Sequence, residues 1–510
     1  MPDLLVRDVR VVPLDPEAAA TPAEPVDVLV RDGRIHAVGP DVRERPEAEG
    51  VPLLDGGGRY AVPGLWDQHV HMVQWGLTRT RLDTSGTSSP QEVLDKVAAR
   101  IVDGVGTPTG VLVGYGHRTG RWAERPTVAA LDAVSGEVPV ALISGDAHHG
   151  WLNTAALRLV GGPMVPGVVS EGLWFPLYDR LQRLHGAEEE AELGVARAIA
   201  EAHTRGVVGI VDLEFGHPWR QWRERAAEGR PPLRARTGVY PEGLDEVIAS
   251  GARTGDPVRA TDGLVTMGPL KVITDGSLNT RTAWCCQPYA DAGGSELPVG
   301  APNLPADELV DLVRRAHEAG LEAALHAIGD AAVAMVLDVF AATGASGSVE
   351  HAQLLALADL PRWAALPGRV RASVQPAHLL DDRTVTEQCW PDRTDRTFPL
   401  RSLLEAGVEL SLGSDAPVSA LDPWLAMAAA VHRGDPEGEN WHPEQAITPR
   451  QALAASVDGQ RAAPGGRGDL VLLDADPTGL PGASTGEQAR LLRDTTVSAT
   501  VLDGAVVHGG

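Results

Sequence analysis

Short apolar runs alternate with amphipathic helical stretches from about residue 206 onward, and this alternation constrains the fold more than any other feature of the chain. The runs lie at 207–212, 233–239, 267–273, 321–326, 347–351, 370–375 and 408–412. Helical spacing is plainest over 306–319, where Leu309, Leu312, Val313 and Ala316 share one face and Gly320 ends the pattern. A second helix is expected over 330–342. A strand joined to a parallel neighbour needs a crossover, usually a helix, so strict alternation implies a parallel sheet. Counting 61–71 as the first strand gives eight, the number that closes a (β/α)8 barrel of the TIM type. Residues 75–205 read as an insertion after that first strand, with β runs at 111–113 and 138–143 and a closing helix rich in Ala and Glu. Without it, 61–449 keeps roughly 250 residues, the usual size of such a barrel.

The two ends of the chain have a different texture. Asp32-Gly33 separates apolar runs at 28–30 and 35–38, and Asp503-Gly504 separates 500–502 from 505–507. Both are hairpin signals. Neither end has the apolar surface to fold alone, since isolated small sheets are marginal. Pairing 1–60 with 450–510 into one composite sheet or β-sandwich around the 61–449 barrel solves the problem.

Composition narrows the partners. A net charge of −25 opposes nucleic acid and anionic membrane surfaces, which select clustered positive charge. No stretch approaches the roughly 18 apolar residues of a membrane span. The N-terminal residues lack the pattern of a signal peptide. Cys285, Cys286 and Cys389 give an odd count and no disulfide framework, which fits a reducing cytoplasm and buried small side chains. The expectation is a cytoplasmic protein acting on a small molecule, with a homodimer left open.

Four ends of apolar runs carry metal-ligand chemistry. His69 and His71, two residues apart on a strand, share a face. His326 closes 321–326, His351 closes 347–351, and Asp415 follows 408–412. In a barrel these strand ends converge on one mouth, where barrel enzymes place their sites. Four imidazoles and a carboxylate suit zinc or a neighbouring first-row metal. Among 44 basic residues only Lys96 and Lys271 are lysine, and Lys271 lies in an apolar run. Its amine can react with carbon dioxide to give an anionic carbamate that bridges two metals, a reaction closed to arginine. The plainer alternative pairs Lys271 with Asp275 or another acid.

These residues sit in motifs that resemble the amidohydrolase superfamily, and within it amidohydrolase family 3, which includes N-substituted formamide deformylases. The resemblance rests on Pro63-Gly64-Leu65-Trp66-Asp67-Gln68-His69-Val70-His71, Leu270-Lys271-Val272-Ile273-Thr274-Asp275-Gly276-Ser277, His326-Ala327-Ile328-Gly329-Asp330, Glu350-His351-Ala352-Gln353 and Gly413-Ser414-Asp415-Ala416-Pro417. It implies one metal on His69, His71 and Asp415, and a second on His326 and His351. Carboxylated Lys271 lies between them, giving one or two zinc ions per chain. It further implies a metal-activated water as nucleophile, with Asp415 as general acid–base. The reaction implied is hydrolysis of a non-peptide carbon–nitrogen bond in a small amide or formamide. Cyclic amide, ester and deaminase substrates stay open, as does a non-catalytic scaffold. Asp146-Ala147-His148-His149-Gly150-Trp151-Leu152-Asn153 also resembles the family, with alanine where glycine is usual, and points to His148 as a substrate contact. His378 and Arg396 are further candidates for substrate binding, and Trp151 and Trp390 for core packing or pocket walls.

Overall fold

The alternating runs form eight strands of one parallel sheet: β1 (Leu65–Val70), β2 (Val207–Asp212), β3 (Arg234–Val239), β4 (Val265–Ile273), β5 (Ala323–Ala327), β6 (Gly347–His351), β7 (Val370–Val374) and β8 (Leu410–Leu412). The structure, a computed structural model, describes residues 2–15, 20–119, 122–145, 149–229, 232–479 and 482–510. Each strand pairs in parallel with the next in chain order. The expected helices occupy Ala306–Glu318 and Asp330–Thr343 on either side of β5. Strands β1, β2 and β6 are buried at every position, as parallel strands covered on both faces should be.

The ring closes between β8 and β1 at its mouth. Val70 and Ala416 form a parallel bridge just beyond the end of β8. The Asp415 N–H donates to the His69 carbonyl at 2.8 Å, and the His71 N–H donates to the Ala416 carbonyl at 2.9 Å. Lower down, residues 455 and 456 fill the seam. Leu412 N–H donates to the Ala455 carbonyl (2.9 Å) and Trp66 N–H to the Ser456 carbonyl (2.8 Å).

The chain ends meet in one seven-stranded mixed sheet. Leu53–Pro63 pairs antiparallel with Leu470–Leu473, and both expected hairpins are present. Asp32 and Asp503 adopt positive φ (50° and 55°), each followed by a glycine that does the same, the backbone that tight hairpins require. Val6, Val28, Ile35 and Leu54 from the N-terminal part pack with Leu472 and Val501 from the C-terminal part in one core.

Contacts divide the chain into two units, Met1–His71 with Ile199–Gly510, and Met72–Ala198. The second unit has its own five-stranded sheet and a core that includes Leu112, Val140, Leu142 and Trp151. The Trp151 indole donates to the Thr127 carbonyl at 3.0 Å, so this residue packs a core. His148 lies outside the described residues. Among the described residues no helix is long and apolar enough to cross a membrane. All three cysteines are free, and Cys285 and Cys389 are buried as expected. Cys286 is exposed, contrary to expectation: its backbone N–H is held by the buried Asp330 (2.8 Å) while the residue itself stays open to solvent.

One ion pair ties β3 to the terminal sheet. Arg234 makes a forked contact with Asp469 (2.6 and 3.0 Å) and reaches Asp503 at 2.9 Å. The Asp469 side chain is only 3% exposed, so losing its countercharge strands a buried anion. Arg234→Ala is therefore expected to cost about 3–5 kcal/mol, and Arg234→Met combined with Asp469→Leu considerably less. Urea unfolding followed by circular dichroism checks both.

Candidate metal centre

At the end of β1, His69 is buried and His71 nearly so, and both rings turn to the same carboxylate. Asp415 Oδ1 lies 3.2 Å from His71 Nε2 and 3.4 Å from His69 Nε2. Its other oxygen lies 4.0 Å from His378 Nε2. Donor atoms of His69, His71 and Asp415 fall within 4.8 Å of one another, and so do those of His351, His378 and Asp415. Asp415 thus belongs to both groups.

The backbone around Asp415 has little room to vary. Asp67 Oδ1 accepts the N–H of His69 (3.1 Å) and of Ser414 (2.9 Å), binding β1 to the β8 loop. Between them Gly413 passes so close that a Cβ would sit 2.8 Å from the His69 nitrogen and 3.1 Å from Asp67 Oδ1. Asp415 itself adopts φ of 57°, unusual for a residue with a side chain.

Two carboxylates orient the histidines from behind. Glu350 Oε2 lies 2.7 Å from His69 Nδ1, and Ser348 donates to the other carboxylate oxygen. Burial opposes ionisation of Glu350, yet the His69 contact brings its pKa down to about 2. Burial, with the nearby Lys271, brings His69 down to about 4. An ionised Glu350 only accepts, so neutral His69 donates through Nδ1 and keeps its lone pair on Nε2. Asp275 treats His326 the same way, 2.9 Å from Nδ1. It also accepts the N–H groups of Ile328 (3.1 Å), Gly329 (2.9 Å) and Trp284 (3.0 Å). The His326 ring stands 4.6 Å from that of His351, which is 5.1 Å from His69. Burial holds His351 well below its usual value. Burial works against an ionised Asp415, but His69, His71 and His351 hold its carboxyl well below the ordinary range.

Lys271 points into this cluster from β4. It is fully buried, and its Nζ has no hydrogen-bond partner among the described residues. Burial pushes its pKa down, against the pull of Glu350 and Asp415. The alternative of a Lys271–Asp275 pair fails, because the Asp275 oxygens serve His326 and three backbone amides. Buried ring nitrogens of His71, His351 and His378 also lack partners among the described residues. Unpartnered ring nitrogens and an anionic carboxylate, beside His69 and His351 held neutral by burial, form a donor set that fits a divalent first-row cation.

The remaining candidates fall elsewhere. Arg396 engages Asp330 (3.4 Å) and the Leu355 carbonyl (3.3 Å). Trp390 is buried among Leu278, Tyr289 and Cys389 as core. His378 begins the helix His378–Cys389 after β7 and adds a donor beside Asp415 that the strand-end pattern does not contain. The orienting roles of Glu350 on His69 and of Asp275 on His326 are absent from the sequence reading. A carboxylate directly beside a strand-end histidine is the one available signal for the first.

Comparison with known proteins now decides the family, since residues 53–508 match the amidohydrolase family. The chain belongs to it. This amidohydrolase is 28% identical over 504 residues to the Arabidopsis thaliana protein Long After Far-Red 3, covering 88% of this chain and 84% of that protein. It is 28% identical over 560 residues to the N-substituted formamide deformylase of Arthrobacter pascens, covering 99% and 98%. An uncharacterized metal-dependent hydrolase from Pyrococcus horikoshii superposes with a TM-score of 0.79 at 24% identity, covering 94% of this chain and 98% of that one, a likeness of fold. Family membership and the donor set together make the amidohydrolase a metal-dependent hydrolase.

The close passage at Gly413 makes a sharp test. Gly413→Ala removes no ligand but must push His69 and Asp67 aside. It is expected to lower bound metal at least tenfold relative to wild type while the protein still folds, as read by elemental analysis beside circular dichroism.

Proposed function

We propose that the chain hydrolyses the carbon–nitrogen bond of a small N-substituted amide or formamide. The observation that carries this reading is the sharing of the Asp415 carboxylate between two groups of imidazole donors. His69, His71 and Asp415 would hold one cation, zinc by the chemistry of the donors, and His326 and His351 a second. A cation held there supplies Lewis acidity to a substrate carbonyl and lowers the pKa of water toward about 7. His326 is preferred to His378 as a ligand because Asp275 fixes its Nδ1, as Glu350 fixes that of His69. His378, beside Asp415 and with no carboxylate hydrogen-bonded to its ring among the described residues, is left to face the substrate.

Asp415, ionised and close to both groups, takes the proton of the attacking water as the water oxygen bonds to the substrate carbon. It returns that proton to the departing amine nitrogen as the carbon–nitrogen bond breaks. Lys271 is proposed to be carboxylated. Its neutral amine bonds to the carbon of carbon dioxide, one carbon–oxygen π pair moves onto oxygen, and the amine proton goes to solvent. The resulting anion suits a buried position amid cations, where an ammonium does not. The formamide preference is supported by the Arthrobacter pascens relative, which matches along nearly its whole length.

Amine release by zinc-loaded protein, purified with bicarbonate, is expected on N-substituted formamides and small amides. Turnover of lactams or esters alone would move the substrate class. Lys271→Arg is expected to lower the metal content from two ions to at most one per chain and turnover by more than a hundredfold. Two bound ions and near-native turnover in that variant would remove the carbamate.

A further inference from the structure

Exposed apolar side chains are distributed unevenly over the barrel. Among the described residues, the large ones in the barrel itself are Phe215, Leu297, Leu357, Leu380 and Val418. All five follow the carboxyl ends of strands, after β2, β4, β6, β7 and β8 respectively. Of these, Phe215 and Val418 lie directly beside the metal donors, within three residues of a strand end or of Asp415.

Phe215 and Val418 bracket the donors of β1, because β2 and β8 are the two neighbours of β1 in the ring. Val418 is 66% exposed, and its N–H donates to the Asp415 carbonyl at 2.8 Å. Phe215 is 50% exposed although it is the largest of the five. One part of its ring is engaged. It stacks on His71 with centroids 5.6 Å apart and planes at 25°, and it meets Tyr240 at 5.0 Å. Tyr240 is buried, and its hydroxyl donates to the Leu213 carbonyl at 3.0 Å, which fixes the wall behind Phe215. The backbone is fixed too, since Phe215 N–H donates to Glu214 at 3.0 Å and Leu213 N–H to the Val70 carbonyl at 2.7 Å. A rigidly held aromatic ring, stacked on a donor histidine and half open to solvent, is a preformed surface for a flat apolar group.

We infer that Phe215 is a specificity-determining residue, receiving an aromatic substituent of the substrate beside His71 and Asp415, with Val418 on the far side of β1 continuing the apolar rim. The inference rests on the amide-hydrolase reading above. It names the class as amides that carry an aromatic group, in preference to small alkyl or charged ones.

The test compares N-phenethyl and N-methyl amides of one acyl group on the metal-loaded enzyme. It adds calorimetric binding of the non-cleavable ketone in which a methylene replaces the amide nitrogen of the phenethyl compound. Wild type is expected to prefer the phenethyl amide in kcat/KM. Phe215→Ala should reduce that preference about tenfold or more, Phe215→Leu by less, and Val418→Asp in the same direction. Binding of the ketone should weaken in parallel. A preference ratio unchanged in Phe215→Ala, whatever happens to each rate, would overturn the inference. If no amide is cleaved, the hydrolase reading fails on its own. Ketone affinity then decides the role of Phe215: loss in Phe215→Ala supports it, and equal affinity in both proteins overturns it.

Discussion

The hydrogen bonds that close the barrel between β8 and β1 are made by the residues that hold the donor groups. Asp415 N–H bonds the His69 carbonyl, His71 N–H bonds the Ala416 carbonyl, and Asp67 binds the amides on both sides of the seam. Ring closure and ligand placement are therefore one structural event. A barrel that did not close here would separate His69 and His71 from Asp415. The positive φ of Asp415 and the tight passage of Gly413 follow from this, since the chain must turn inward at the point where it reaches its neighbour.

Electrostatics sets the second constraint. The mouth buries Asp415, Glu350 and Lys271 among imidazoles, an arrangement whose desolvation cost is large unless the charges are matched. Glu350 and Asp275 are matched locally, each serving a histidine and further hydrogen-bond donors. Among the described residues neither Lys271 Nζ nor the ring nitrogens of His71, His351 and His378 named above have a hydrogen-bond partner. Such a cluster makes physical sense as a site prepared for cations, whose charge stabilises the carboxylate and whose coordination satisfies the open lone pairs.

Much of this was legible in the sequence because barrel geometry converts chain position into spatial position. Eight strand ends converge, so His69, His71, His326, His351 and Asp415 announce themselves as polar residues closing apolar runs. His378 does not, because it starts a helix after β7 and its approach to Asp415 depends on that helix's direction. Glu350 was hidden by strand alternation, which sends neighbours to opposite faces. His351 has φ of 69°, which breaks the alternation and lets both residues serve the mouth. Asp275 was legible as an acid that could pair with Lys271 but not as the partner of His326, a choice set by the turn that brings three backbone amides onto its oxygens. Phe215 carries no sequence signal, since only its stacking on His71 and its exposure distinguish it from an ordinary core aromatic.

The proposed chemistry requires a divalent cation between the donors of β1 and Asp415. Crystals of the protein equilibrated with zinc, with data collected on both sides of the zinc absorption edge, test this most directly. An anomalous peak is expected within bonding distance of His69, His71 and Asp415. A zinc peak located elsewhere, or no peak at the mouth after equilibration, would contradict it.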